Sequence, residues 1–150
     1  MEKFADLLFD LGKILGVNLY AEKGIYCRIN YAYGFDVQLE LEDAKERILI
    51  ASFLCDVPPG AYREMLFKSA LKANGTYPNE GSLAYSERNN KLVLFTYAYL
   101  IQLKAEKFAA ALEKFTKKAH DWKEAVEKNR PLPVSLEEPK KGSIFDLGPK

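Results

Sequence analysis

The sequence predicts an α+β domain: a twisted antiparallel sheet of about five strands with three helices, in the order α-β-β-β-α-β-β-α. Three observations carry that prediction. Residues 35–42 alternate strictly, with Phe35, Val37, Leu39 and Leu41 set against Asp36, Gln38, Glu40 and Glu42, the pattern of a strand with one apolar and one wet face. Near both ends the period changes to three and four: Phe4, Leu7, Leu8, Leu11, Ile14 and Leu15 share one helix face, and Phe108, Leu112, Phe115, Ala119, Trp122 and Val126 share another. Turn residues, Gly34 and the Asn89-Asn90 pair, separate short apolar runs in the manner of hairpins.

The first helix is expected over Glu2–Leu15, with Gly16 as its stop. A strand follows at residues 25–31, where Ile25, Cys27, Ile29 and Tyr31 lie on one face and Tyr26, Arg28 and Asn30 on the other. The alternating strand comes next, then a polar hairpin loop at 42–46. The third strand, 48–57, is apolar on both parities, Ile48, Ile50 and Leu54 against Leu49, Ala51, Phe53 and Cys55, so it is expected at the centre with both faces covered. Pro58, Pro59 and Gly60 break the chain and open a helix over Ala61–Asn74, stopped at Asn74-Gly75. Strands at Ser82–Ser86 and Lys91–Tyr99 pair about the Asn89-Asn90 turn, and a last helix covers 105–128. Residues 1–128 form the domain. From Asn129 onward Pro131, Pro133, Pro139 and Pro149 forbid regular structure, and 129–150 is expected to be a mobile tail.

Composition narrows the function. A chain of 150 residues suits one domain with one core, and 48% hydrophobic with 29% charged residues is the balance of a folded protein. A net charge of +1 supplies no field for nucleic acid, and the lysines of the last helix are interleaved with Glu113, Asp121, Glu124 and Glu127, so no nucleic-acid partner is expected. No apolar run approaches the roughly 18 residues that span a bilayer, so no membrane insertion is expected either. Asp6, Asp10 and Lys13 interrupt the N-terminal apolar residues, so no signal peptide is expected. Cys27 and Cys55 sit inside strand-like runs and read as reduced, packed thiols of a cytosolic protein.

Chemistry-bearing clusters are missing from the sequence. His120 is the single histidine, there is no close cysteine pair, and no glycine-rich phosphate loop occurs, so no catalytic residue, metal site or cofactor is expected. Glu40 and Glu42 lie two apart on the wet face of a strand and are read as solvated. Asn74-Gly75-Thr76 matches a glycosylation acceptor formally and is read as a helix stop.

Two surfaces are unusual. The second helix carries Ala61, Tyr62, Met65, Leu66, Phe67, Ala70, Leu71 and Ala73 around well over half its circumference, more than the roughly 100° arc that one sheet covers, which points to a second copy of the chain. The first helix sets Leu8, Leu11 and Leu15, continued by Val17 and Leu19, beside an early strand placed at a sheet edge, where an extended segment can add by main-chain pairing.

The order of these runs, "FADLLFDLGKILGV", "GIYCRIN", "FDVQLELE", "RILIASFLCDV", "PPGAYREMLFKSALKANG", "GSLAYSERNNKLVLFTYAYL" and the helix containing "FAAALEKFTKKAHDW", resembles the small class I type III secretion chaperones over residues 4–128. The net charge of +1 departs from the acidic balance typical of that family. The resemblance implies a homodimer in the bacterial cytoplasm. It would bind the N-terminal segment of one or more secreted effector proteins, keep it extended, and deliver it to the export apparatus, with the secretion ATPase or sorting apparatus as a further contact. Under that reading Leu8, Leu11, Leu15, Val17, Ile29, Phe35, Val37 and Leu39 are the candidate effector-binding residues. Leu66, Phe67, Ala70, Leu71, Leu83 and Tyr85 are the candidate dimer interface. The alternatives are a dimeric regulator that sequesters a transcription factor or secretion component, and a small hydrolase or isomerase.

Overall fold

Polar turns bring the alternating runs back on one another, and the result is a single five-stranded sheet. The structure, a computed structural model, describes residues 2–31, 34–76 and 80–134. Its elements are α1 (Glu2–Leu15), β1 (Tyr26–Tyr31), β2 (Phe35–Glu42), β3 (Arg47–Asp56), α2 (Ala61–Asn74), β4 (Ser82–Ser86), β5 (Lys91–Tyr99) and α3 (Ala105–Glu127). The strands are antiparallel in the order β1-β2-β3-β5-β4, so β3 is central and β1 and β4 are the edges.

Register aligns one parity of every strand into a continuous apolar face. Cys27 lies opposite Leu39, Leu39 opposite Ile50, Ser52 opposite Leu94 and Leu94 opposite Leu83. That face is buried with α1 and α3, which pack on each other and contribute Phe4, Leu8, Leu11, Phe108, Leu112, Phe115 and Trp122 to the interior. Each such side chain removed from water stabilises the fold by about 1.5–3 kcal/mol. Ser52, a fully enclosed hydroxyl on this face, donates to the Asp36 carbonyl at 2.9 Å. α2 packs on β4, inserts Leu66, Ala70 and Ala73 into the same core, and sends the Tyr62 hydroxyl to the Ala125 carbonyl at 3.4 Å.

Four expectations change. The second face of β3 is not covered: Leu49 and Ala51 are half-buried and Phe53 is 40% exposed, because the helices that meet the sheet bury its other parity. Cys55 does not follow Phe53 to that face, since a bulge between them turns it inward, and the carbonyl of the extra residue, Leu54, accepts Lys123 Nζ at 3.0 Å. The last turn of α1 is outside the core. Ile14 and Leu15 are exposed there, because the chain reverses at Gly16 (φ +73°) and the 17–19 segment, rather than the sheet, lies against the helix. Finally, the start of the expected tail is docked: Arg130 N–H donates to the Ala125 carbonyl at 2.8 Å, its guanidinium reaches Glu124 at 2.7 Å, and Leu132 and Val134 pack on the core. The remainder, 135–150, lies outside the described residues.

Candidate functional site: a strand edge and an open sheet face

The Leu41 N–H donates to the Ile25 carbonyl at 2.9 Å, and pairing alternates along an antiparallel ladder. The main-chain groups of Cys27, Ile29 and Tyr31 therefore point to β2, while those of Tyr26, Arg28 and Asn30 point out of the sheet. Tyr26 is paired in both directions with Glu22, at 2.6 and 3.0 Å. Arg28 and Asn30 are left with no main-chain partner among the described residues, and their side chains are exposed. An unpaired stretch of this kind is a template for an added strand.

Beside it lies the exposed end of α1. Gly12 makes this possible: a Cβ there would stand 2.5 Å from the Val17 carbonyl oxygen, and the Val17 N–H donates to the Gly12 carbonyl at 3.0 Å. Residues Phe9, Gly12, Lys13, Gly16, Val17, Asn18 and Leu19 line a groove of ≈ 380 Å³. Phe9 is 61% exposed, Val17 49% and Tyr20 71%. The Tyr20 main chain lies near enough to the Cys27 thiol to counter part of the rise that burial causes, which sets this apolar patch beside β1.

Of the candidate effector-binding residues, Val17 lines this groove and Leu15 is exposed at the end of α1. Leu8, Leu11, Ile29, Phe35, Val37 and Leu39 are in the monomer core, because α1 and α3 lie on the apolar face of β1 and β2 and leave only their wet face open. Phe9, Tyr20 and Tyr26 are exposed aromatics outside that candidate set. Phe9 falls off the α1 core stripe, and an aromatic side chain out of phase with its helix is the signal that finds it.

The second surface is the uncovered sheet face. Leu49, Ala51 and Phe53 of β3 stand opposite Tyr97, Phe95 and Val93 of β5, an apolar strip on the centre of the sheet. Arg47 closes one end, stacked over the Tyr97 ring at 3.7 Å and paired with Glu42. Of the candidate dimer residues, Leu71 is 71% exposed, Phe67 and Tyr85 are half-buried against each other with ring centroids 5.1 Å apart, and Leu66, Ala70 and Leu83 are buried within the monomer. The Arg63 guanidinium lies 4.7 Å from the Tyr85 ring and donates to Asn90 at 3.0 Å, which pins α2 to the β4–β5 turn.

The ionisable groups serve packing. Burial pushes the Cys55 thiol up to about 11 and raises that of Cys27, so both stay protonated at neutral pH and are poor nucleophiles. His120 Nε2 sits 3.0 Å from Glu124 on the next turn of α3. No group of three or more His, Cys, Asp or Glu among the described residues is placed to hold a metal ion, and no described helix is long and apolar enough to cross a membrane.

The sequence model of the Tir chaperone protein (CesT) family matches residues 6–123, from the middle of α1 through most of α3. The chain belongs to that family. No curated protein matches it. Solved structures share the fold of this CesT-family chain at low identity. A chain of the HopA1–SchA chaperone–effector complex superposes with a TM-score of 0.69 at 18% identity, covering 82% of this chain and 94% of the other. A chain of the ExsC–ExsE complex gives 0.68 at 19%, covering 83% and 94%. One from the Yersinia pestis type III secretion chaperone SycH bound to a fragment of YscM2 gives 0.60 at 13%, covering 77% and 96%. Membership in the CesT family makes this chain an effector-binding chaperone of type III secretion, as the order of its elements implied.

Proposed function

We propose that this chaperone holds the N-terminal segment of a secreted effector as an added strand at β1, with apolar anchors seated on Phe9, Leu15, Val17 and Tyr20. The observation that carries the reading is the pair of unpaired main-chain positions, Arg28 and Asn30, next to that exposed patch. Main-chain pairing gives affinity tolerant of sequence, and the apolar contacts select among segments. The protein works in the bacterial cytoplasm by binding alone, without turnover, and passes its client to the export apparatus. It does so as a homodimer joined through the open face of β3 and β5 together with the exposed side of α2 at Leu71, since an apolar strip on central strands calls for a partner surface.

Arg28→Pro tests the client site. It removes one outward N–H at an edge position that tolerates proline. With tagged wild type as bait in the source bacterium, the captured client should show a protease-protected N-terminal segment, and the variant should lose it while melting normally. Equal protection by the folded variant would remove the β1 edge from the client site.

A further inference from the structure

The sheet has two edges, and the chain treats them differently. On β4 the groups of Leu83 and Tyr85 point out of the sheet, on the same parity as Gly81 before them. Side chains of this chain reach that edge first. Asn74 Nδ2 donates to the Leu83 carbonyl at 2.9 Å, and its Oδ1 accepts the Leu83 N–H at 2.7 Å. Lys118 Nζ donates to the Gly81 carbonyl at 2.6 Å. A carboxamide that offers a donor and an acceptor to the two main-chain groups of one residue reproduces what a neighbouring strand would offer. Asn74 is the last residue of α2 and Lys118 lies on α3, so two helices packed on the core cover this edge at Gly81 and Leu83. At β1 the corresponding Arg28 and Asn30 groups have no such cover among the described residues.

We propose that Asn74, assisted by Lys118, determines which edge of the sheet accepts a strand: it holds β4 shut, so that an extended partner adds at β1 alone and the sheets of separate molecules do not join edge to edge. The latch is intramolecular and made by α2 whenever the domain is folded, so it outcompetes an incoming strand at any ordinary concentration. The choice of β1 rests on the client site proposed above. The latch itself is tested with no client present, so the two fail separately.

The probe is a second copy of the chain, because an opened β4 meets an identical edge antiparallel about a two-fold axis. Amide exchange at Leu83 and sedimentation velocity over a concentration series are measured for wild type, Asn74→Ala, and Asn74→Asp combined with Lys118→Met. Asn74→Ala should exchange Leu83 about tenfold faster, the loss of one net hydrogen bond, and associate beyond the wild-type state as concentration rises. Adding Tyr85→Pro should abolish that association. Asn74→Asp keeps an acceptor for the Leu83 N–H but sets a carboxylate oxygen against the Leu83 carbonyl, so the double variant carries the test by the same association criterion if Asn74→Ala does not fold. A folded variant with wild-type association at every concentration would overturn the proposal, whatever its Leu83 protection.

Discussion

Gly12 sits in a helix interior, where alanine would ordinarily be favoured, and the structure gives it a task there. It lies inside α1, and its missing side chain admits the Val17 carbonyl that folds the 17–19 segment back along the helix. Gly12→Ala should therefore destabilise the fold by about 1–3 kcal/mol, read as a lowered melting temperature, and should displace the apolar groove. Glu124 is the other residue with an individual consequence. A hydrogen bond from Lys128 and that cation's charge, with the Arg130 guanidinium close by, hold its carboxyl below the usual glutamate range. A carboxylate depressed in the folded state contributes stability above its unfolded value and loses it as pH falls through the folded one. Glu124→Gln should thus lower the melting temperature at pH 7, and the gap to wild type should close in acid, below the ordinary glutamate range. A gap independent of pH would separate Glu124 from the docking of Arg130.

At the scale of elements, α1 divides into a core half and a surface half. Leu11 is wholly buried, so Leu11→Asp places an unpaired charge in the interior and should collapse the melt by several kcal/mol. Val17→Asp, in the exposed segment just after the helix, should leave the melt near wild type and weaken client binding by about 1–2 kcal/mol, measured by titration with the client segment once captured. Equal effects of the two changes would mean that the groove is part of the core. The stripe of three and four residue steps identifies α1, but its periodicity continues into the last turn, where Ile14 and Leu15 are exposed. Periodicity records which residues share a side; the reversal at Gly16 decides how far along that side the core extends.

For the whole molecule, the proposed assembly rests on the open face of β3 and β5. Phe53→Glu with Phe95→Glu puts like charges on both sides of a two-fold contact and should shift the protein to monomer in light scattering, with a melt limited to that of the isolated subunit. A dimer that survives both changes would move the interface to α2, where Leu71→Asp is the matching test. The sheet order bears on this directly, because β5 inserts between β3 and β4 and so brings Phe53 and Val93 together from distant segments.

Helix and strand positions were set locally. Glu2–Leu15, Ala61–Asn74, Ser82–Ser86 and Lys91–Tyr99 end where the turn residues and periods place them, since glycine, proline and asparagine act on their own backbone and alternation on its own strand. Strand parity was legible for the same reason: Ile29, Val37 and Leu39 do share a face. Whether that face was groove or core was not, because it depends on which side of the sheet α1 and α3 take, a choice made by packing between segments a hundred residues apart. The same holds for Asn74. Its identity stops a helix, which any sequence reading finds, and only the tertiary placement of α2 against β4 brings its amide to the two main-chain groups of Leu83. The sequence by itself determined the elements, their faces and the family; the tertiary structure decided which apolar surfaces are spent in the core and which edge remains open, because burial is a property of contacts and not of the residues that make them.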